Sequence, residues 1–140
     1  MKTTFFTVII ALLALSTSCF AQNNNPSIDV IITNIKSNDG TLKIGLYNSK
    51  ESFLKSIYKS ISIKAKKEGV QVTFENIKEG EYAISLYHDK DNNQKMNTFF
   101  RIPTEPYGVS NNAKGQFGPP KWEDAKFIIS TEKEIQHITL

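Results

Sequence analysis

The stretch "YHDKDNNQKMNTFF", residues 87–100, sets Asp89, Asp91, Asn93 and Asn97 at odd spacings with Lys95 among them. Calcium is a hard cation that takes oxygen ligands, and side-chain oxygens on successive odd residues converge inside a tight turn. Numbered as a calcium loop, Asp89 is position one, Asp91 three, Asn93 five, Lys95 seven through its backbone carbonyl, and Asn97 nine. The spacing therefore points to calcium as a cofactor, at the weak end of the affinity range because only two of the positions carry charge. A complete EF-hand is excluded: Gln94 occupies the sharp-turn position, no helix pattern flanks the loop, and position twelve is Phe100. Glu105 supplies a late carboxylate only if the chain folds back. The competing expectation is a plain polar turn, since Asp and Asn hydrogen-bond their own backbone in turns.

Other chemistry is sparser. Strand alternation puts His88 on the same face as Ile84 and Leu86, which fits a hydrogen-bonded histidine at the core edge better than a base or ligand. His137 is far away, and without a cysteine cluster or an H-E-x-x-H pattern there is no zinc signature. Ser110, His88 and Asp89 or Asp91 form a hydrolase triple on paper, using the 88–112 loop surface, but no nucleophile elbow accompanies them. A binding surface is the stronger alternative. Tyr107, Ser110, Asn111 and Asn112, together with His88, offer stacking and hydrogen-bonding groups suited to a glycan or peptide, or to an envelope protein. The bland reading is that these residues pin a long loop.

The N-terminus reads as a secretory leader over residues 1–21: Lys2, the apolar run Phe5–Leu15, then the small residues of "STSCFA". The apolar run is well short of the roughly 20 residues a spanning helix needs, so the mature chain is expected to carry no transmembrane span. Cleavage after Ala21 gives a periplasmic or secreted protein starting at Gln22. The alternative is a lipoprotein anchored through Cys19, although Ser16 stands three before that cysteine and Leu15 lies one residue too far upstream. Removing 21 residues from 140 leaves 119, one domain's worth with no cysteine, and Lys2 takes the formal charge from +3 to +2. So small a charge argues against nucleic acid as a partner.

Residues 22–27 form a polar lead-in, and the domain is expected over 28–140. "IDVIITNI" and "TLKIGLYN" alternate as strands around Asp39-Gly40, which predicts a hairpin. "SKESFLKSIYKS" breaks the alternation with Phe53, Leu54, Ile57 and Tyr58 at helical spacing, giving a short helix or a structured crossover. "SISIKAK", "VQVTFENI" and "YAISLYHD" follow, and "AKFIIS" with "EIQHITL" is expected as a further pair turned at "TEK". The predicted core is Val30, Ile32, Leu42, Ile44, Leu46, Val72, Phe74, Tyr82, Ile84 and Leu86. About seven short strands and no long helix give an all-β, antiparallel Ig-like or transthyretin-like sandwich. Residues 89–124 show no evident strand, yet Phe99, Phe100, Tyr107, Phe117 and Trp122 are expected to anchor them as one long ordered loop.

The motifs "G-E-Y-A", "Y-H-D", "P-x-E-x-Y-G-x-S-N-N-A" and "F-G-P-P-x-W-E-D-A", in that order between Val72 and Phe127, resemble the DUF2141 family of exported bacterial proteins. The "F-x-N-I-x-x-G-x-Y" portion is similar to transthyretin-like and carboxypeptidase-regulatory modules, which implies a sandwich. In the family the acidic loop reads "H-D-x-N-G-N-G-K-x-D". The resemblance thus implies glycine where this chain has Gln94, and an acid where it has Asn97.

Overall fold

The computed structural model describes residues 26–140. The leader expected at 1–21, with Cys19 and the cleavage point after Ala21, and residues 22–25 of the lead-in lie outside the described residues. The strands are β1 (Ile28–Thr33), β2 (Thr41–Tyr47), β3 (Lys59–Lys64), β4 (Val70–Phe74), β5 (Gly80–Asp89), β6 (Thr98–Phe99), β7 (Ile102–Pro103), β8 (Tyr107–Val109), β9 (Phe127–Ile129) and β10 (Glu134–Thr139). A 3-10 turn, Ser110–Asn112, and a single-turn helix α1, Trp122–Ala125, lie between β8 and β9.

Two sheets make the sandwich. One has the order β10-β1-β4; the other runs β3-β2-β5-β8, with β9 pairing the start of β5. The β1–β10 pair is parallel and the remaining pairs are antiparallel. Period-two alternation explains the faces. Val30, Ile32, Leu42, Ile44, Leu46, Val72, Phe74, Tyr82, Ile84 and Leu86 are all buried in one cluster, as the sequence predicts, and Ile28, Ile77, Ile129 and Ile138 are among its other members. β3 is an edge strand, and the exposed Lys64, Lys66 and Lys67 keep that edge solvated.

The strand pairings differ from the sequence expectation. β1 and β2 do not form a hairpin across Asp39-Gly40; they lie in opposite sheets, and so do β9 and β10 on either side of "TEK". Alternation reveals which face of a strand is apolar. Two such faces can meet across a sandwich as readily as side by side, so the turn residues did not decide the neighbour.

A second, smaller core covers the outer face of the larger sheet. Tyr47 and Ala83, cross-strand partners on β2 and β5, share that face with Val109 of β8 and are covered by Phe53, Trp122 and Ala125. "SKESFLKSIYKS" is a crossover of turns rather than a helix: Ser49 Oγ accepts the Ser52 amide at 3.2 Å, and Ser52 Oγ donates to Ser49 O at 3.0 Å. Its Phe53 packs edge-on against Tyr47 and Trp122, with ring centroids 5.4 and 5.7 Å apart. On the outer face of β1, Asp29 accepts hydrogen bonds from Lys133 at 2.6 Å, Thr73 at 2.7 Å and Gln71 at 3.0 Å. The Lys133 ammonium is the main cause that holds its carboxyl below the ordinary carboxylate value.

The 89–124 segment is ordered, but mostly not by its aromatics. Trp122 is buried, whereas Phe99, Phe100, Tyr107 and Phe117 are exposed. Three short strands expected to be absent, β6, β7 and β8, provide the order instead, together with the polar contacts described next.

Candidate metal centre

β5 runs out at Asp89, which is fully buried. The chain then turns on side-chain oxygens. Asp89 Oδ1 accepts the Asn93 amide at 3.1 Å and Oδ2 the Gln94 amide at 3.0 Å, so one carboxylate caps two successive N–H groups. Asp91 Oδ1 accepts the Asn93 amide at 3.2 Å, and Asn93 Oδ1 accepts the Lys95 amide at 2.8 Å. This chain of side-chain-to-backbone turns holds the loop on its own Asp and Asn side chains.

The chain does fold back. β6 and β7 reverse it, the Thr104 amide donates to Asn97 O at 2.8 Å, and Glu105 arrives against the loop. Glu105 Oε1 accepts the Lys90 amide and Oε2 the Asn97 amide, each at 3.0 Å. Asp89, Asp91 and Glu105 thereby bring carboxylate oxygens within 4.8 Å of one another. Three carboxylates in that space suit a divalent cation with oxygen coordination. Thr41, the cross-strand partner of Asp89 on β2, adds a buried hydroxyl with no hydrogen-bond partner. Directly opposed residues share a sheet face, so this hydroxyl stands on the carboxylate side.

Two backbone features position the cluster. Gly40 has φ +70, and a Cβ built on it would stand 2.0 Å from the Asp89 carbonyl oxygen. The glycine is thus required for the close approach of the 37–40 turn to the end of β5. Asn92 and Gln94 also have positive φ, 56 and 64. These are the two positions at which the family motif has glycine. Asn tolerates the left-handed region; glutamine does so only with strain. Gln94→Gly is therefore expected to raise stability by about 0.5–1 kcal/mol, the left-handed penalty less the extra chain entropy of glycine. Chemical denaturation would measure it, and a loss of stability would show that the Gln94 side chain is needed.

Asn97 sits where the resemblance implies an acid, and its side chain is hydrogen-bonded within the loop. Its Nδ2 donates to Asp91 Oδ2 at 2.9 Å while its Oδ1 accepts Asn93 Nδ2 at 2.7 Å. Asn93 Nδ2 also donates to Asp91 Oδ2, at 3.0 Å. The Asn97 hydrogen bond is the main cause that holds the Asp91 carboxyl below its ordinary value. For Lys95 the amide is engaged as described, while its side chain is exposed.

The other sequence candidates are not gathered into one surface. His88 is fully buried, with Nε2 2.6 Å from Asp39 O and Nδ1 unpartnered, and its amide donates to Pro106 O at 2.9 Å. It ties the end of β5 to the 37–40 turn rather than facing a ligand. Ser110 is buried too: its hydroxyl donates to Ala125 O at 2.6 Å and accepts the Ile84 amide at 2.9 Å. With its hydroxyl spent there, the paper triple with His88 is not assembled. Asn111 Nδ2 donates to Lys126 O at 2.9 Å and Asp124 O at 3.2 Å; Asn112 Oδ1 accepts the Thr139 amide at 2.9 Å. Both asparagines lace the loop to its neighbours. Tyr107 lines a cleft of about 540 Å³ with Arg101, Ile102, Pro119 and Pro120, and shares a second, of about 600 Å³, with Asn112. Spacing alone left Glu105 conditional and missed Gly40 as a packing element, because both depend on which segments meet.

A family model described as "Uncharacterized protein conserved in bacteria (DUF2141)" matches residues 30–137. No curated protein and no solved structure matches the chain.

Proposed function

The chain belongs to the bacterial DUF2141 family, and from that premise we propose an exported β-sandwich module of the cell envelope, accessory or binding in role, whose 89–97 loop takes calcium weakly. The observation that carries the metal is the convergence of Asp89, Asp91 and Glu105 from two separate segments, with ligand atoms within 4.8 Å. Asn93, Asn97 and the Lys95 carbonyl are the further oxygen donors. Export rests on the leader pattern of residues 1–21. Among the described residues no helix is long and apolar enough to cross a membrane.

A second reading, a structural envelope module without a metal, is favoured by one feature. The Asn93 and Asn97 amides already satisfy Asp91 Oδ2, doing by hydrogen bonding part of what a cation would do by charge.

Thermal unfolding with calcium against EDTA separates the two. A site with a dissociation constant of about 1 mM, in about 10 mM calcium, gains roughly 1.4 kcal/mol by mass action. That corresponds to a Tm rise of about 5 °C for a domain of this size. Asp91→Asn, at an exposed position, should abolish the gain, and magnesium should substitute poorly because it demands a tighter octahedron. Asn97→Asp should lower Tm in EDTA by charge repulsion and enlarge the calcium response. A Tm indifferent to calcium in both the parent and Asn97→Asp establishes the metal-free reading.

A further inference from the structure

The loops that follow the carboxylate cluster carry an apolar surface that the metal reading does not use. β6 and β7 form a hairpin whose two-residue turn is Phe100-Arg101, both at positive φ, 48 and 66. A two-residue turn with both residues left-handed is the place for Asn-Gly. A bulky aromatic and an arginine there violate the local preference with no gain in packing: Phe99 is 67 %, Phe100 84 % and Ile102 67 % exposed. Phe99 and Phe100 contact only edge to face, 4.6 Å between centroids. Across the cleft, the loop 113–121 holds up Phe117, which is wholly exposed.

Charge accompanies each apolar tip. Residues 95–104 contain Lys95 and Arg101, residues 113–121 contain Lys114 and Lys121, and neither segment contains an acid. All four cations are exposed, and none has an ion-pair partner among the described residues. Exposed aromatic rings accompanied along the chain by exposed, unpaired cations match the layered chemistry of a bilayer surface. The rings enter the boundary of the acyl chains while the long basic side chains reach back to the phosphates.

We propose that the β6–β7 hairpin and the 113–121 loop dock this protein on an anionic lipid bilayer, with Phe99, Phe100 and Phe117 inserted and Arg101, Lys95, Lys114 and Lys121 on the headgroups. The surface adjoins the carboxylate loop at Lys95, whose side chain is exposed, and the proposal stands whether or not calcium binds. Juxtamembrane cations are attracted by anionic lipid and screened by salt, so docking is electrostatic in approach and apolar in retention.

The test is vesicle co-sedimentation of the full chain carrying Cys19→Ala, which removes a lipid anchor at that residue as a cause of binding. Vesicles of phosphatidylcholine alone are compared with vesicles containing equal phosphatidylglycerol. Binding is expected to the anionic vesicles, to weaken with added salt, and to fall by about tenfold or more in Phe100→Asn/Arg101→Gly and in Phe117→Ser. The first variant supplies the preferred turn residues, so the hairpin folds at least as well as the parent, and a loss of binding cannot be a loss of structure. Absence of binding by the parent, equal binding to neutral vesicles, or binding unchanged in both variants overturns the proposal. Concentration-dependent self-association that both variants abolish, without vesicle binding, overturns it in favour of a second copy of the chain as the occupant.

Discussion

Gly40→Ala is expected to destabilise the domain by about 3 kcal/mol, from a left-handed penalty of about 1–2 and an overpacking cost of about 1–3. The added methyl would stand 2.0 Å from Asp89 O and 2.7 Å from Lys90 Cα, both backbone atoms that cannot swing aside. The 37–40 turn must then separate from the end of β5. That also strains the hydrogen bond from the His88 ring to Asp39 O. Tm should fall by about 10 °C, and limited proteolysis should cut first within 89–97. A Tm within about 2 °C of the parent would mean that the two segments do not approach so closely in solution.

Trp122→Ala is expected to be as damaging, at about 3–5 kcal/mol, the usual range for truncating a buried tryptophan. Trp122 is the largest member of the outer cluster and holds Phe53 against Tyr47. Its loss should expose the 49–56 crossover to hydrogen exchange before the sandwich core opens. Phe117→Ala provides the contrast. This aromatic lies five positions earlier in the same loop and is fully exposed, so its truncation should leave Tm unchanged. Equal effects at the two sites would refute the division of the loop into a pinned end and a free tip.

That contrast marks the limit of what the residues reveal by type. Trp122 and Phe117 are both large aromatics in a proline-rich segment, and composition makes anchors of both; only the path of the chain puts one under a roof and the other in solvent. Faces were legible because alternation is a local property: each residue from Leu42 to Leu46 points where its parity says. Partners were not legible, since Asp39-Gly40 carries a valid signal for a positive φ without saying what demands it. A hairpin and a tight approach to Asp89 require the same glycine. The turn of the acidic loop was legible in its Asp and Asn residues for the same local reason. Its third carboxylate, Glu105, came from beyond the β6–β7 reversal, which two-residue strands are too short to announce. Asn97 shows the converse: its place in the loop was readable, while its work as a donor to Asp91 was not.

The parallel pairing of β1 with β10 governs the timetable of assembly. Partner residues in the two strands are 106 positions apart, so the chain must close a very large loop before that ladder yields anything. Until residues 134–139 are available, β1 can pair on one side only, with β4, and the other side is a bare, apolar edge carrying Ile28, Val30 and Ile32. A nascent chain, or one cut short of Glu134, presents that edge to its neighbours for as long as it waits. Slow refolding, and aggregation that rises with protein concentration, therefore belong to the arrival of β10 rather than to the acidic loop.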